Sequence, residues 1–174
     1  MFACAAPAAA AQDSVEITHA HIDATDDGYR LSAAYAFDLN RGLEEAIQHG
    51  VALYFTTEIE IVHPRWYWRD EVMVSKRITA RISYDVLTRE YAIKYTDSVR
   101  QTFNTLDEAI FAIRRPPRWM IAPKGAFKPG ENYVVTLKMG MDREYFSKPI
   151  QVNSFNNAEW RLNSNTKKFI YKAE

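Results

Sequence analysis

His19 and His21 stand two residues apart in a stretch that reads as extended, so their imidazoles point the same way and have the spacing of a metal pair. Asp23, Asp26 and Asp27 lie close enough in sequence to add oxygens, but a zinc site needs three or four ligands, and His49 and His63 are far along the chain. The pair is read as ordinary strand and turn residues, with no metal. Glu58 and Glu60 repeat the two-residue spacing and would share one face of a strand, as paired carboxylates for acid–base work require. That face is opposite the apolar one, so solvated side chains are the expectation. No Gly-x-Ser-x-Gly elbow occurs, the single cysteine is Cys4, and six glycines are scattered without forming a phosphate loop. No catalytic residue, cofactor or metal is expected.

The segment Pro64-Arg65-Trp66-Tyr67-Trp68-Arg69-Asp70-Glu71 carries two of the four tryptophans. Trp and Arg dominate binding hot spots, because they join large buried area to directional hydrogen bonds and cation–π contacts. Arg65, Trp66, Trp68 and Arg69 are therefore candidate partner-binding residues, and the same composition suits stacking on a sugar. A structural reading stands beside these: Trp66 and Trp68 plug one end of the fold, with Arg65 or Arg69 paired to Asp70 or Glu71. Arg118 and Trp119 belong to a second cluster, Arg114-Arg115-Pro116-Pro117-Arg118-Trp119, which would extend the same rim if the fold brings the two together.

The elements that must position these residues are mostly strands. Tyr29, Leu31, Ala33, Tyr35, Phe37 and Leu39 alternate with polar or small residues, and so do Leu53 to Ile61, Ile78 to Tyr84, Tyr91 to Tyr95 and Tyr133 to Met141. Asp85–Arg89 reads as a hairpin connection, and Phe169 and Tyr171 mark a C-terminal strand. Two short helices interrupt the strands. Asn40 caps Arg41–His49, which ends at Gly50, and Thr105-Leu106-Asp107-Glu108 forms a capping box opening a helix to about Ile113. Pro116-Pro117 forbids its continuation. Roughly eight mostly antiparallel strands bury their apolar faces best as two packed sheets. The expected fold is mainly β, an immunoglobulin-like β-sandwich with two short helices, with an open barrel as second choice.

Composition bounds the function. The chain has 174 residues with 22 Lys+Arg against 22 Asp+Glu, so its net charge of +0 argues against a dedicated nucleic-acid binder. Its length and 47% hydrophobic content fit one globular domain, assigned to residues 12–174. Residues 1–11, MFACAAPAAAA, have no charged side chain and end in Ala9-Ala10-Ala11, the small-residue pattern of signal peptidase cleavage. They read as the remnant of a signal peptide whose true start lies further upstream. Cleavage after Ala11 leaves a chain without cysteine, suited to an oxidising envelope compartment. A lipidated Cys4 and a plain Ala-rich tail are the alternatives. No stretch reaches membrane-spanning length.

Beyond composition, the run Gly50-Val51-Ala52-Leu53-Tyr54-Phe55 followed by Pro64-Arg65-Trp66-Tyr67-Trp68 resembles the DUF4390 family of uncharacterised proteobacterial proteins. Ser83-Tyr84, Leu87-Thr88-Arg89-Glu90-Tyr91, Phe103, Thr105–Ala109, Lys128-Pro129-Gly130-Glu131, Lys148-Pro149, Gln151-Val152-Asn153 and Glu159-Trp160-Arg161-Leu162 continue the resemblance in order. It implies an exported protein, since family members carry an N-terminal signal sequence. Their genes often neighbour a membrane sensor kinase, which implies an envelope role linked to signalling. It supplies no catalytic residue. The chain departs from the family pattern at its beginning, where the charged and long apolar parts of a signal are missing. The expected function is a periplasmic binding or interaction module for a protein partner in the envelope. A sugar or small-molecule binder at an aromatic rim is the alternative, and a hydrolase using Glu58 or Glu60 stands behind both.

Overall fold

The structure, a computed structural model, describes residues 14–150 and 160–174. The residues expected to be a signal-peptide remnant, the expected cleavage position and Cys4 lie outside the described residues, as do Gln151-Val152-Asn153.

Apolar–polar alternation sets the strands. β1 (Ser14–Thr25) and β2 (Gly28–Ala36) make an antiparallel hairpin, with Tyr29, Leu31, Ala33 and Tyr35 buried and the residues between them half-buried. Next comes α1 (Arg41–Gln48), whose first turn is capped by the Asn40 side chain accepting the Leu43 amide at 3.0 Å. β3 (Leu53–His63) and β4 (Glu71–Asp85) form the longest hairpin, and β5 (Glu90–Tyr95) and β6 (Gln101–Phe103) extend it. α2 (Leu106–Arg114) starts on the capping box of Thr105 and Glu108 expected from the sequence. β7 (Trp119–Pro123), β8 (Asn132–Met141), β9 (Asn163–Ser164) and β10 (Lys167–Lys172) follow.

These strands join into one path in the order β6-β5-β4-β3-β8-β9-β1-β2-β7, with β10 also pairing β8. All pairs are antiparallel except β1 with β9. Register shifts at Ile17/His19, Tyr29/Arg30 and Ile61/Val62 bend the strands, as extra residues in a ladder do. The sheet curls so that its inner faces meet. Phe37 stacks on Phe55 at 5.3 Å, Tyr29 meets Phe127 edge-on at 4.6 Å, and the Tyr35 and Thr57 hydroxyls share a hydrogen bond of 3.1 Å. The result is a curled mixed sheet, a half-barrel around an apolar core.

The mainly-β expectation stands, but an immunoglobulin-like sandwich is not confirmed. A two-residue strand, β9, bonds to both β8 and β1 and turns what would be two layers into one continuous sheet. A strand that short leaves no periodicity to read. The half-barrel comes nearer to the open barrel weighed second. Two boundaries also move: β2 stops at Ala36, short of Leu39, and β4 begins at Glu71, six residues before Arg77.

Candidate contact site

Pro64 closes β3, and the chain turns through Arg65–Asp70 before re-entering the sheet at Glu71, opposite His63. The turn is held by its own charges. The Arg65 guanidinium pairs with Glu71, and the Arg65 amide donates to Asp70 Oδ1 at 3.3 Å. At its base His63 Nε2 lies 3.3 Å from Glu131 and its ring packs 5.1 Å from Tyr133, anchoring the hairpin to β8. This braced base carries an aromatic tip whose rings are not packed against the core formed by the described residues. Trp66 is 95% exposed, Tyr67 66% and Trp68 75%, with the Trp66 and Tyr67 rings edge-to-face at 5.3 Å. Arg69 is exposed beside them, without an ion pair among the described residues.

Two sequence expectations are settled here. Arg65 does pair with Glu71, but Trp66 and Trp68 do not plug the end of the fold. The core is filled by the inward residues of the strands and by Leu43, Ile47, Ala109, Ile110 and Ile113 of the two helices, and Tyr29, Phe127, Tyr133 and Tyr171 occupy the end where a plug was expected. Val72, just past the tip on β4, is also largely exposed. Their signal in the sequence was a loss of alternation: consecutive aromatics after a proline cannot all face one side of a strand.

The second cluster does not join this tip. Trp119 is half-buried on β7, where it lines an apolar cavity of about 30 Å³ with Phe55, Thr57, Ile78 and Ala80. Ile78 lies seven residue steps along the strand from Glu71, roughly 23 Å at the usual rise, so Trp119 and the tip do not form one rim. Arg118 is exposed, 3.8 Å from Asp23. The cavity is walled by low-dielectric core: burial pushes the Tyr35 phenol up to about 12, with the Thr57 hydrogen bond pulling the other way, and burial also raises Tyr95.

The remaining candidates are surface residues. His19 and His21 have ring centroids 6.4 Å apart, and His21 lies 3.1 Å from Asp23; among the described residues no group of His, Cys, Asp and Glu could hold a metal ion. Glu58 pairs with Arg77 on the outer face of the sheet, and Glu60 is exposed beside it in an open groove. A deep pocket holding both carboxylates, as glycoside hydrolysis needs, is not formed by these residues. No described helix is long and apolar enough to cross a membrane.

The family model described as Domain of unknown function (DUF4390) matches residues 12–170, nearly the whole chain. The chain belongs to that family, which indicates no catalytic class. No curated protein and no solved structure matches it.

Proposed function

We propose that this DUF4390 protein is an exported, periplasmic binding module that works by contact, using the Arg65–Asp70 hairpin tip to engage a protein partner in the envelope. The observation that supports this reading is the exposure of Trp66, Tyr67 and Trp68 together at the end of a long, internally braced hairpin. Leaving such rings in water is unfavourable by about 25 cal/mol for every Å² of apolar surface, and contiguous exposed apolar patches on soluble domains mark contact sites. The tip is anchored by His63–Glu131 and Arg65–Glu71, so little ordering entropy remains to be lost on binding.

The test is a comparison of the full chain with a Trp66→Ala/Trp68→Ala variant as baits in cross-linked envelope extracts. A partner captured by the native chain and lost from the variant is the expected result. Capture of the same proteins by both overturns the reading. The variant's melting curve should match the native one, because neither indole contacts the core.

A further inference from the structure

Next to the tip, β4 presents a row of open backbone groups. β5 pairs with β4 only from Ala80 to Asp85, and β3 covers the other side of β4 from Glu71 to Ile82. Thr79 donates its amide to Thr96 Oγ1 at 3.2 Å, on the β5 side, and its carbonyl accepts from the same hydroxyl at 3.3 Å. Its backbone groups therefore point away from β3. Alternate residues of an antiparallel strand bond to alternate sides, and the register with β3 has no shift between Val74 and Ile82. Ser75 and Arg77 thus aim their N–H and C=O groups to the same open side, where no described strand pairs with Glu71–Ile78.

An unpaired stretch of this length is a template for an added strand, and soluble proteins normally bury or blunt it. Here the blunting is electrostatic. Lys76 and Arg77 lie on this stretch and Arg69 stands at its tip end; Arg77 is paired with Glu58, while Lys76 and Arg69 have no ion pair among the described residues. The unpaired Lys76 and Arg69 repel the same edge of another copy and attract a segment of opposite charge.

We propose that the Glu71–Ile78 edge of β4 receives an extended segment of the partner protein as an additional strand, with acidic side chains where that segment passes Lys76 and Arg69. This rests on the reading of the tip as a contact site and names the kind of partner: main-chain bonds to Ser75 and Arg77 supply affinity, and the aromatic tip covers the end of the added strand.

Two experiments test it. In hydrogen exchange on the full chain alone, the Ser75 and Arg77 amides should exchange far faster than those of Val74 and Ile78, which face β3; slow exchange at both overturns the proposal. In the second, unstructured twelve-residue peptides displayed as a library are selected on the full chain. The selected peptides should be acidic and should bind Ser75→Pro at least about tenfold more weakly, while Ser75→Ala binds as the native chain does. Proline is tolerated on an edge where the amide faces solvent, so Ser75→Pro keeps the fold and removes one outward donor. Failure to select any peptide, or equal binding to Ser75→Pro, overturns the edge proposal. Loss of binding in Trp66→Ala/Trp68→Ala with full binding to Ser75→Pro leaves the tip reading standing alone, and the reverse pattern leaves the edge alone. Self-association of the native chain abolished by Ser75→Pro would identify a second copy as the occupant and also overturn the proposal.

Discussion

Gly28 closes the β1–β2 hairpin at φ +150°, with Thr25 Oγ1 donating to its carbonyl at 2.8 Å, and a Cβ placed there would overlap the carbonyl oxygen of Ala122 on β7. Because the obstacle is backbone, it cannot rotate away. Gly28→Ala should lose about 2 kcal/mol or more in urea unfolding; a loss below about 0.5 kcal/mol, the ordinary surface range, would contradict the close approach. Tyr35 makes a second residue-level prediction. Its folded-state pKa is raised to about 12 by burial, whereas an unfolded tyrosine ionises near 10. The unfolded chain therefore gives up its proton first, so this contribution is complete below about pH 10 and disappears as pH rises through about 12. Urea midpoints should fall steeply between those values, less so in Tyr35→Phe; a flat profile would show the phenol to be solvated. The sequence already placed Tyr35 inside, because every second residue from Tyr29 onward is apolar. It did not place Trp66 and Trp68 outside, since large aromatics usually fill cores and no alternation survives in Arg65–Asp70 to say otherwise.

Elements with local signals were legible in the same way. Asn40 and Thr105 both cap helices as their side chains imply, and α2 is further tied down by Arg114, which donates to the Phe37 carbonyl at 2.8 Å and pairs with Asp38 at 2.6 Å. Thr105→Ala removes one half of a reciprocal cap and should cost about 1 kcal/mol, read by thermal or urea unfolding. Arg114→Met should cost more than Thr105→Ala, since it leaves the buried Phe37, just past β2, with an unmet carbonyl; equal or smaller loss would show water replacing the guanidinium. β6 and β9 were not legible. They span three and two residues, and their pairing is decided by neighbours distant in sequence. Strand β7 was hidden behind the Pro116-Pro117 break, where Arg118 and Trp119 looked like a surface cluster and instead lead into a sheet edge.

At the scale of the molecule, the half-barrel depends on its shortest strand. Asn163 pairs with Gly140 on β8 and with Ser14 on β1, the Met139 amide donates to Ser164 Oγ at 2.9 Å, and the Met141 amide donates to the Leu162 carbonyl at 2.7 Å. These bonds hold the β6–β8 arm to the β1-β2-β7 arm along one sheet. The crossing is close: a Cβ at Gly140 would lie 3.1 Å from Asn163 Cα and overlap its side chain. Gly140→Val should therefore push β9 away without removing any core side chain. In the native chain, far-UV circular dichroism and tryptophan fluorescence should report one coincident urea transition, as expected of a single cooperative domain. In Gly140→Val the midpoint should fall by the equivalent of about 2 kcal/mol, and the two signals should separate as the arms lose their common strand. A variant that still unfolds in one coincident step at the native midpoint would mean that face-to-face packing through Phe37–Phe55 and Tyr35–Thr57 suffices to join the arms. In that case the two layers expected from the sequence would describe the energetics better than the continuous strand order does.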